Sequence, residues 1–130
     1  PKEIVIPPED IALRKIRALE KMTLENPVDI KRFHYQVSDI IRDYFEERFE
    51  FPATDRTNEE IKKMFKSFKM INEDTKKTFL QILEKADRIK FTDAMPARGE
   101  ESGILNEIEE FVVDTMPKKI KEEDEKDDFI

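Results

Sequence analysis

The chain has no cysteine, no tryptophan, one histidine and only two glycines, Gly99 and Gly103, in 130 residues. Without cysteine no disulfide can form, which fits a reducing compartment. β-Hairpin folds normally need more glycine at their turns, and a phosphate-cradling loop needs several glycines close together. No apolar run is longer than three residues, so no stretch of this sequence resembles a membrane span or the apolar centre of a signal peptide.

Charge is abundant but unevenly distributed. Charged residues make up 42 % of the chain, and the net charge is −7. Residues 61–90 carry nine basic and four acidic groups, whereas residues 100–130 carry four basic and twelve acidic groups. An acidic protein is a poor general ligand for nucleic acid, because neutralisation of phosphate dominates that affinity. The basic middle segment keeps nucleic-acid binding open as an alternative.

The apolar residues recur at helical spacing almost throughout, which predicts an all-α, single compact domain. Pro8, followed by two acidic residues, is typical of a helix start, and Asn26-Pro27 predicts a second start. Thr57 and Glu60 have the spacing of a capping box. The five predicted helices span about residues 8–24, residues 27–49, a segment from 57, a segment from 73, and residues 101–116. The third is expected to carry Ile61, Met64, Phe65 and Phe68 inward.

The second helix is predicted to be the long central element of the fold. Its apolar stripe is wider than a surface helix needs, and its eight members are Ile30, Phe33, Val37, Ile40, Ile41, Tyr44, Phe45 and Phe49. Glu50–Pro52 and Ile89–Phe91 alternate like extended chain, which predicts one very short two-stranded pairing. We divide the chain into a helical domain, residues 1–117, and a charged tail, residues 118–130, expected to be disordered.

Nothing in the sequence favours catalysis, a cofactor or a metal site. None of the three serines lies in a glycine-flanked elbow, the turn that presents a nucleophilic hydroxyl. His34 lies near the apolar stripe without the Glu-x-x-His spacing of metal-binding helical bundles, so we expect a boundary residue with a satisfied ring nitrogen. Neighbouring carboxylates such as Asp39 and Asp43 have the spacing of a solvated helix face. We therefore expect that the chain is not an enzyme.

A lysine-rich face on the third and fourth helices is the candidate partner-binding surface. Two helices with a short join also suggest a helix-turn-helix, the nucleic-acid-binding alternative, although the fourth helix offers few side chains suited to base edges. A solvated lysine face without a partner is the simpler interpretation. The residues of the candidate surface are Lys62, Lys63, Lys66, Lys69, Lys76 and Lys77.

The middle of the chain carries the most distinctive motifs. Residues 37–49 read Val-Ser-Asp-Ile-Ile-Arg-Asp-Tyr-Phe-Glu-Glu-Arg-Phe, followed by Pro52-Ala53 and by Thr57 with Glu59-Glu60. With Pro8, Ile11–Leu13, Ala86-Asp87 and Lys90-Phe91, this order resembles the cytoplasmic C-terminal region of BatD-like proteins of bacterial Bat aerotolerance operons. It is also similar to related small membrane proteins of unknown function. The resemblance covers about residues 8 to 115.

The resemblance implies a parent protein with an exported part, one transmembrane helix outside this chain, and this domain on the cytoplasmic face of the inner membrane. The start at Pro1 fits such an excised, soluble fragment. MoxR-type ATPases and von Willebrand factor A proteins, which such operons encode, are the implied partners. The resemblance supplies no catalytic residues.

Within the distinctive motifs we predict structural roles for Arg42, Tyr44, Phe49, Pro52, Thr57 and Glu60. Arg42 lies at the edge of the apolar stripe, where its stem can pack and its guanidinium can bond a carboxylate or the carbonyls of the Pro52 turn. The acidic tail has two interpretations. It is a solvated end that serves solubility, or it competes in cis with an acidic partner for the lysine face.

Overall fold

A computed structural model describes residues 5–90 and 100–118, and it confirms the all-α class. Five helices account for the regular structure of these residues, and no strand occurs among them. The helices are α1, Pro8–Glu20; α2, Pro27–Phe49; α3, Asn58–Phe65; α4, Glu73–Lys90; and α5, Glu100–Thr115.

The long helix α2 is the centre of the fold, as its stripe predicts. Its N-terminus is capped by Asn26, whose side chain accepts a hydrogen bond from the backbone N–H of Asp29 at 2.9 Å. Seven of the eight stripe residues are buried, and Phe49 is half-buried at the edge of the core. The helix packs against α1, α4 and α5. Each fully buried large side chain contributes about 1.5–3 kcal/mol of hydrophobic stabilisation.

An aromatic cluster around Phe45 joins α2 to the elements that follow it. Its ring stacks on Phe79 of α4 with centroids 4.0 Å apart. Phe51, just after α2, and Phe65 of α3 lie at centroid distances of 5.6 and 5.8 Å from Phe45. All four rings are buried. The chain on either side of α3 is therefore fixed to the same core residue.

Helix ends follow the predicted capping signals. Thr57 and Glu60 form the reciprocal capping box at the start of α3, and the bonds from Thr57 lower the pKa of the Glu60 carboxyl. Asn72 accepts a hydrogen bond from the backbone N–H of Asp74 at the start of α4. At the end of α2, Glu50 adopts the left-handed conformation with φ of 53°, where glycine is the usual residue.

Two of the predicted boundaries are wrong. Helix α1 ends at Glu20 rather than near Leu24, because the chain needs non-helical residues before the extended Asn26 cap of a helix that packs back on α1. Helix α3 ends at Phe65, so Phe68 reaches the core from the following turn instead of from the helix.

The predicted two-stranded pairing does not form. Helix α4 continues through Lys90, so Ile89 and Lys90 have helical backbone and cannot pair as a strand with Glu50–Pro52. The helical hydrogen bonds of a long amphipathic helix outweigh the local preference of two residues for extended chain. Phe91, the last residue of the proposed strand, lies outside the described residues, as does the tail from residue 119 onward.

Candidate interaction surface

Arg42 is the best-connected polar side chain of the described structure. Its Nε donates to Ser38 Oγ at 3.2 Å, and its Nη1 donates to the carbonyl oxygens of Ala53 at 3.0 Å and Arg56 at 2.5 Å. Its Nη2 donates to Asn58 Oδ1 at 2.9 Å and lies 3.5 Å from a carboxylate oxygen of Asp87 on α4. These are the turn-carbonyl and carboxylate contacts expected from its position.

The geometry of Arg42 explains why a lysine would not replace it. The planar guanidinium has donors on all three nitrogens. Nε bonds within α2, Nη1 bonds the 50–57 turn, and Nη2 contacts the start of α3 and α4. The side chain is only 12 % exposed. Such a group holds three segments together and leaves little of its surface for a ligand.

A second set of contacts fixes the end of α5. The Tyr44 hydroxyl lies 2.8 Å from Thr115 Oγ1 and 3.3 Å from the carbonyl oxygen of Val112. Arg48 Nε donates to the carbonyl oxygen of Thr115 at 2.7 Å, and its guanidinium lies 4.8 Å from the Phe49 ring centroid. Carbonyls at a helix C-terminus have no intrahelical donor, so these bonds stabilise the last turn of α5.

The Pro52 turn is stabilised by hydrogen bonds to the side chain of Glu46 on α2. Glu46 Oε1 accepts hydrogen bonds from Thr54 N at 3.1 Å and from Thr54 Oγ1 at 2.7 Å, and these bonds lower the pKa of Glu46. Pro52 is half-buried between the buried Phe51 and Ala53. Together with Arg42 and the Thr57–Glu60 box, this arrangement makes the motif region a structural unit.

Lys76 was predicted as part of the partner-binding face, and this prediction is wrong. Its side chain is only 6 % exposed, and its Nζ donates to the carbonyl oxygen of Phe65 at 2.7 Å. The same Nζ pairs with Glu73 at 3.2 Å and lies 5.8 Å from the Phe65 ring centroid. The last carbonyls of α3 need a donor, and Lys76 supplies one. It is a bond between α3 and α4 rather than a surface cation.

The other predicted lysines lie on the surface but are not equivalent. Lys62 pairs with Glu84 of α4 at 3.2 Å and with Glu59 at 3.4 Å, and these contacts raise its pKa. Lys63 is exposed on α3. Lys66, Lys69 and Lys77 are also exposed, and no residue within 5–90 and 100–118 forms an ion pair with them.

A surface groove brings most of these lysines together between α3 and α4. Five lysines, one glutamate and two apolar side chains line it. Lys76 is buried and paired with Glu73, and Lys62 is paired with acidic residues, so among the described residues the uncompensated charge is the +3 of Lys66, Lys69 and Lys77. We call it the lysine groove, and its lining residues are Lys62, Phe65, Lys66, Lys69, Glu73, Lys76, Lys77 and Leu80. Phe65 is buried and Leu80 is half-buried, so the groove offers cations around a partly apolar floor.

One surface feature escaped sequence analysis. Met70, in the turn between α3 and α4, is 99 % exposed, the most of any large apolar residue in the described chain. It follows Lys69 directly. The apolar periodicity of the sequence does not predict whether a single methionine is exposed. Met70 is exposed because α3 ends at Phe65, which leaves Met70 in a turn.

His34 differs from its prediction as well. It is only 1 % exposed, and neither ring nitrogen has a hydrogen-bond partner in the described structure. Burial lowers its pKa, partly countered by the charges of Glu101 and Glu100, while Arg88 lowers it further. The ring packs edge-on against Phe33 at 5.3 Å. The imidazole is therefore a neutral core residue with no route to a substrate.

Other candidate chemistry is sparse. A groove between α1 and α2 mixes Lys15 with Asp39 and Asp43, and burial raises the pKa of Asp43 while Lys15 lowers it. The described residues contain no cluster of three or more metal-ligating side chains. None of the helices within 5–90 and 100–118 is long and apolar enough to cross a membrane.

The comparisons with known proteins found no counterpart. No family model matches the chain, and no curated protein or solved structure matches it either.

Proposed function

We propose that this chain is a non-catalytic protein–protein interaction module that binds an acidic surface of its partner through the lysine groove. The observation that carries the proposal is the set of exposed lysines at positions 66, 69 and 77. They surround a half-buried Leu80, and no described residue neutralises them. Uncompensated charge steers association and selects partners more than it stabilises a fold.

The fold does not depend on these three side chains. The polar contacts that join its elements use Arg42, Tyr44, Arg48 and Lys76. Met70, the residue after Lys69 in the chain, is 99 % exposed. Methionine side chains adapt to irregular partner surfaces, so a cationic rim with a flexible apolar residue suits an acidic partner that also presents an apolar side chain.

The resemblance to BatD-like proteins supports a location and a class of partner for this module. We propose that it belongs to a membrane-anchored bacterial protein and lies on the cytoplasmic face of the inner membrane. MoxR-type ATPases and von Willebrand factor A proteins of the same operon are the partners to test first. A partner face rich in aspartate and glutamate is the expected counterpart of the groove.

A binding assay with a charge-matched control tests the proposal. The full chain is titrated with each purified operon-encoded partner at 0.1 M salt, beside two triple variants. The groove triple carries Lys66→Glu, Lys69→Glu and Lys77→Glu. The control triple, Arg14→Glu, Lys21→Glu and Arg32→Glu, makes the same charge change at exposed positions of α1, of its C-cap and of α2. We expect saturable binding that the groove triple weakens at least tenfold and the control triple leaves within about twofold.

Two results would contradict the proposal. Equal weakening by both triples would mean that only net charge matters and that the groove is not a site. Absence of binding to the partners, together with binding to a mixed-sequence DNA duplex that the groove triple abolishes, would assign the groove to nucleic acid. The structure argues against that outcome, because Lys85 and Arg88 of α4 pair with Glu107 and Glu100 of α5 and Lys76 is buried.

A further inference from the structure

We infer that the acidic segment 122–130 of this same chain occupies the lysine groove in cis and competes there with the acidic partner. The competition with a partner rests on the proposed function, whereas the identity of the segment that occupies the groove is argued from separate observations. These observations are the composition of the groove, the place where the described chain ends, and the sequence that follows.

The groove and the segment are complementary in two respects. Residues 122–128 contain six acidic groups and one lysine, and Phe129-Ile130 follows directly. The groove presents three exposed lysines without an ion pair among the described residues, Lys66, Lys69 and Lys77, and the apolar side chains of Phe65 and Leu80 line it with them. An acidic run that ends in two apolar residues therefore matches a cationic rim around an apolar floor.

Helix α5 ends on the opposite side of α4 from the groove. Asp114 and Thr115, the last residues of α5, line the same surface depression as Asp74, Thr75 and Thr78 in the first turns of α4. The lysine groove lies along the same turns of α4, on the flank that carries Lys77 and Leu80. Thr78 and Leu80 are two residues apart, or about 200° around a helix with 3.6 residues per turn. The tail thus has to cross one helix to reach the groove.

The length of the tail is sufficient for that crossing. A helix with its side chains is about 10–12 Å across. Half the circumference of such a helix is about 16–19 Å, which about five extended residues span. The twelve residues from 119 to 130 reach about 40 Å when fully extended, so the part of the segment that ends in Phe129-Ile130 reaches the groove after the preceding residues have passed round α4. A tethered segment of this length has an effective concentration in the millimolar range, so even weak affinity for the groove gives substantial occupancy in cis.

The occupant is tested directly by nuclear magnetic resonance. Amide spectra of the full chain are compared at 0.1 M salt with those of a chain that ends at Lys118. They are also compared with a full-length variant in which Glu122, Glu123, Asp124 and Glu125 become Gln. We expect shifts in residues 62–80 for both variants and a much smaller difference at 1 M salt, where the screening length falls to about 3 Å. Shifts confined to the last turn of α5 would overturn the inference.

Competition is measured with the tail itself as probe. A fluorescent peptide of residues 119–130 is titrated into both chain lengths. We expect it to bind the chain that ends at Lys118 about tenfold more tightly than the full chain, as follows for a tethered competitor at millimolar effective concentration. The groove triple should abolish this binding and the control triple should preserve it. Equal affinity for the two chain lengths, or no binding to the shorter one, would overturn the inference.

The failures of the two proposals can be distinguished. In one outcome the peptide does not bind, the operon-encoded partner binds both chain lengths equally, and the groove triple abolishes partner binding. The tail inference then fails and the proposed function stands. If the peptide binds as expected while no partner does, the groove is an intramolecular site and the proposed function fails. Groove shifts that grow with protein concentration would place the tail of a second copy there and overturn the cis form.

Discussion

The two turns on either side of α3 are built in opposite ways. The turn from Glu50 to Thr57 is held by hydrogen bonds that Arg42 donates and Glu46 accepts, and its apolar members Phe51 and Ala53 are fully buried. The turn from Lys66 to Asn72 exposes Lys69 and Met70, and Ile71 is its buried apolar anchor. The comparison teaches that the polar network is concentrated at the first turn, while uncompensated positive charge lies at the second turn, where we propose that a partner binds.

The largest loss of stability is expected when the core residue that supports both turns is removed. Phe45 contacts Phe51 before α3 and Phe65 at its end, and it is fully buried. Phe45→Ala should lower the free energy of unfolding by about 3–5 kcal/mol, as large-to-small core changes do. Urea unfolding followed by circular dichroism measures the change. An unfolding midpoint like that of the wild type would mean that the core is not centred on α2.

Arg42→Ala should affect the first turn and its contact with α4, and not the second turn. The variant removes the Arg42 donor from the carbonyls of Ala53 and Arg56 and removes the ion pair with Asp87, which keeps its hydrogen bond from Ser38, so we expect a loss of about 2–4 kcal/mol. Arg42→Lys is the matched control, and it should recover less than half of the loss because one ammonium cannot reach partners on three segments. If Arg42→Ala kept its stability but lost partner binding, Arg42 would belong to the interface.

Arg42 also shows what the sequence could predict. The edge of an apolar stripe and a nearby proline turn were enough to anticipate its bonds to the turn carbonyls and to a carboxylate, whereas its contacts with Ser38 and Asn58 were not predicted. The helices and caps were predictable because 3.6-residue periodicity and capping boxes are local.

Lys76 and His34 show where the sequence was insufficient. The burial of Lys76 depends on a carbonyl eleven residues away at the end of a different helix, and α3 ends earlier than its pattern suggests. His34 lies at the edge of the stripe in sequence, but α4 and α5 place Arg88, Glu100 and Glu101 near it. Both outcomes depend on how helices pack, which one helix's periodicity does not specify. The untested parts, the partner and the role of the tail, depend on molecules beyond the fold.

The pH dependence of stability tests the difference between Arg42, which has many hydrogen-bond partners, and His34, whose ring nitrogens have none among the described residues. Because its pKa is lowered from 6.5 by burial, the unfolded chain binds more protons than the folded chain below that pH. The free energy of unfolding should therefore fall as the pH decreases below 6.5, by at most about 1.4 kcal/mol per pH unit. His34→Leu should flatten this dependence between pH 6.5 and 5.

The interpretation of that experiment is simple, because His34 is the only histidine in the chain and most carboxyl groups titrate near pH 4. Denaturant unfolding at half-unit pH steps, for the wild type and His34→Leu, gives both slopes. Identical slopes in the two proteins would mean that His34 gains a partner when protonated. Glu100 and Glu101, the acids whose charges raise its pKa, would be the residues to substitute next.

The smallest expected effect belongs to the second turn. The groove triple, Lys66→Glu, Lys69→Glu and Lys77→Glu, should change the free energy of unfolding by less than about 1 kcal/mol, since Lys69 and Lys77 are exposed and lie away from caps and buried contacts, where substitutions rarely do more. Lys66 occupies the C-cap of α3, where a negative charge costs about 0.3–1 kcal/mol against the helix dipole. Lys69 precedes the N-terminus of α4, where a negative charge is favourable and offsets part of that cost. Thermal and urea unfolding of the groove and control triples measure the difference. A loss above about 2 kcal/mol in the groove triple alone would mean that these lysines hold the turn in place, and reduced partner binding by that variant would then report on the fold rather than on the surface.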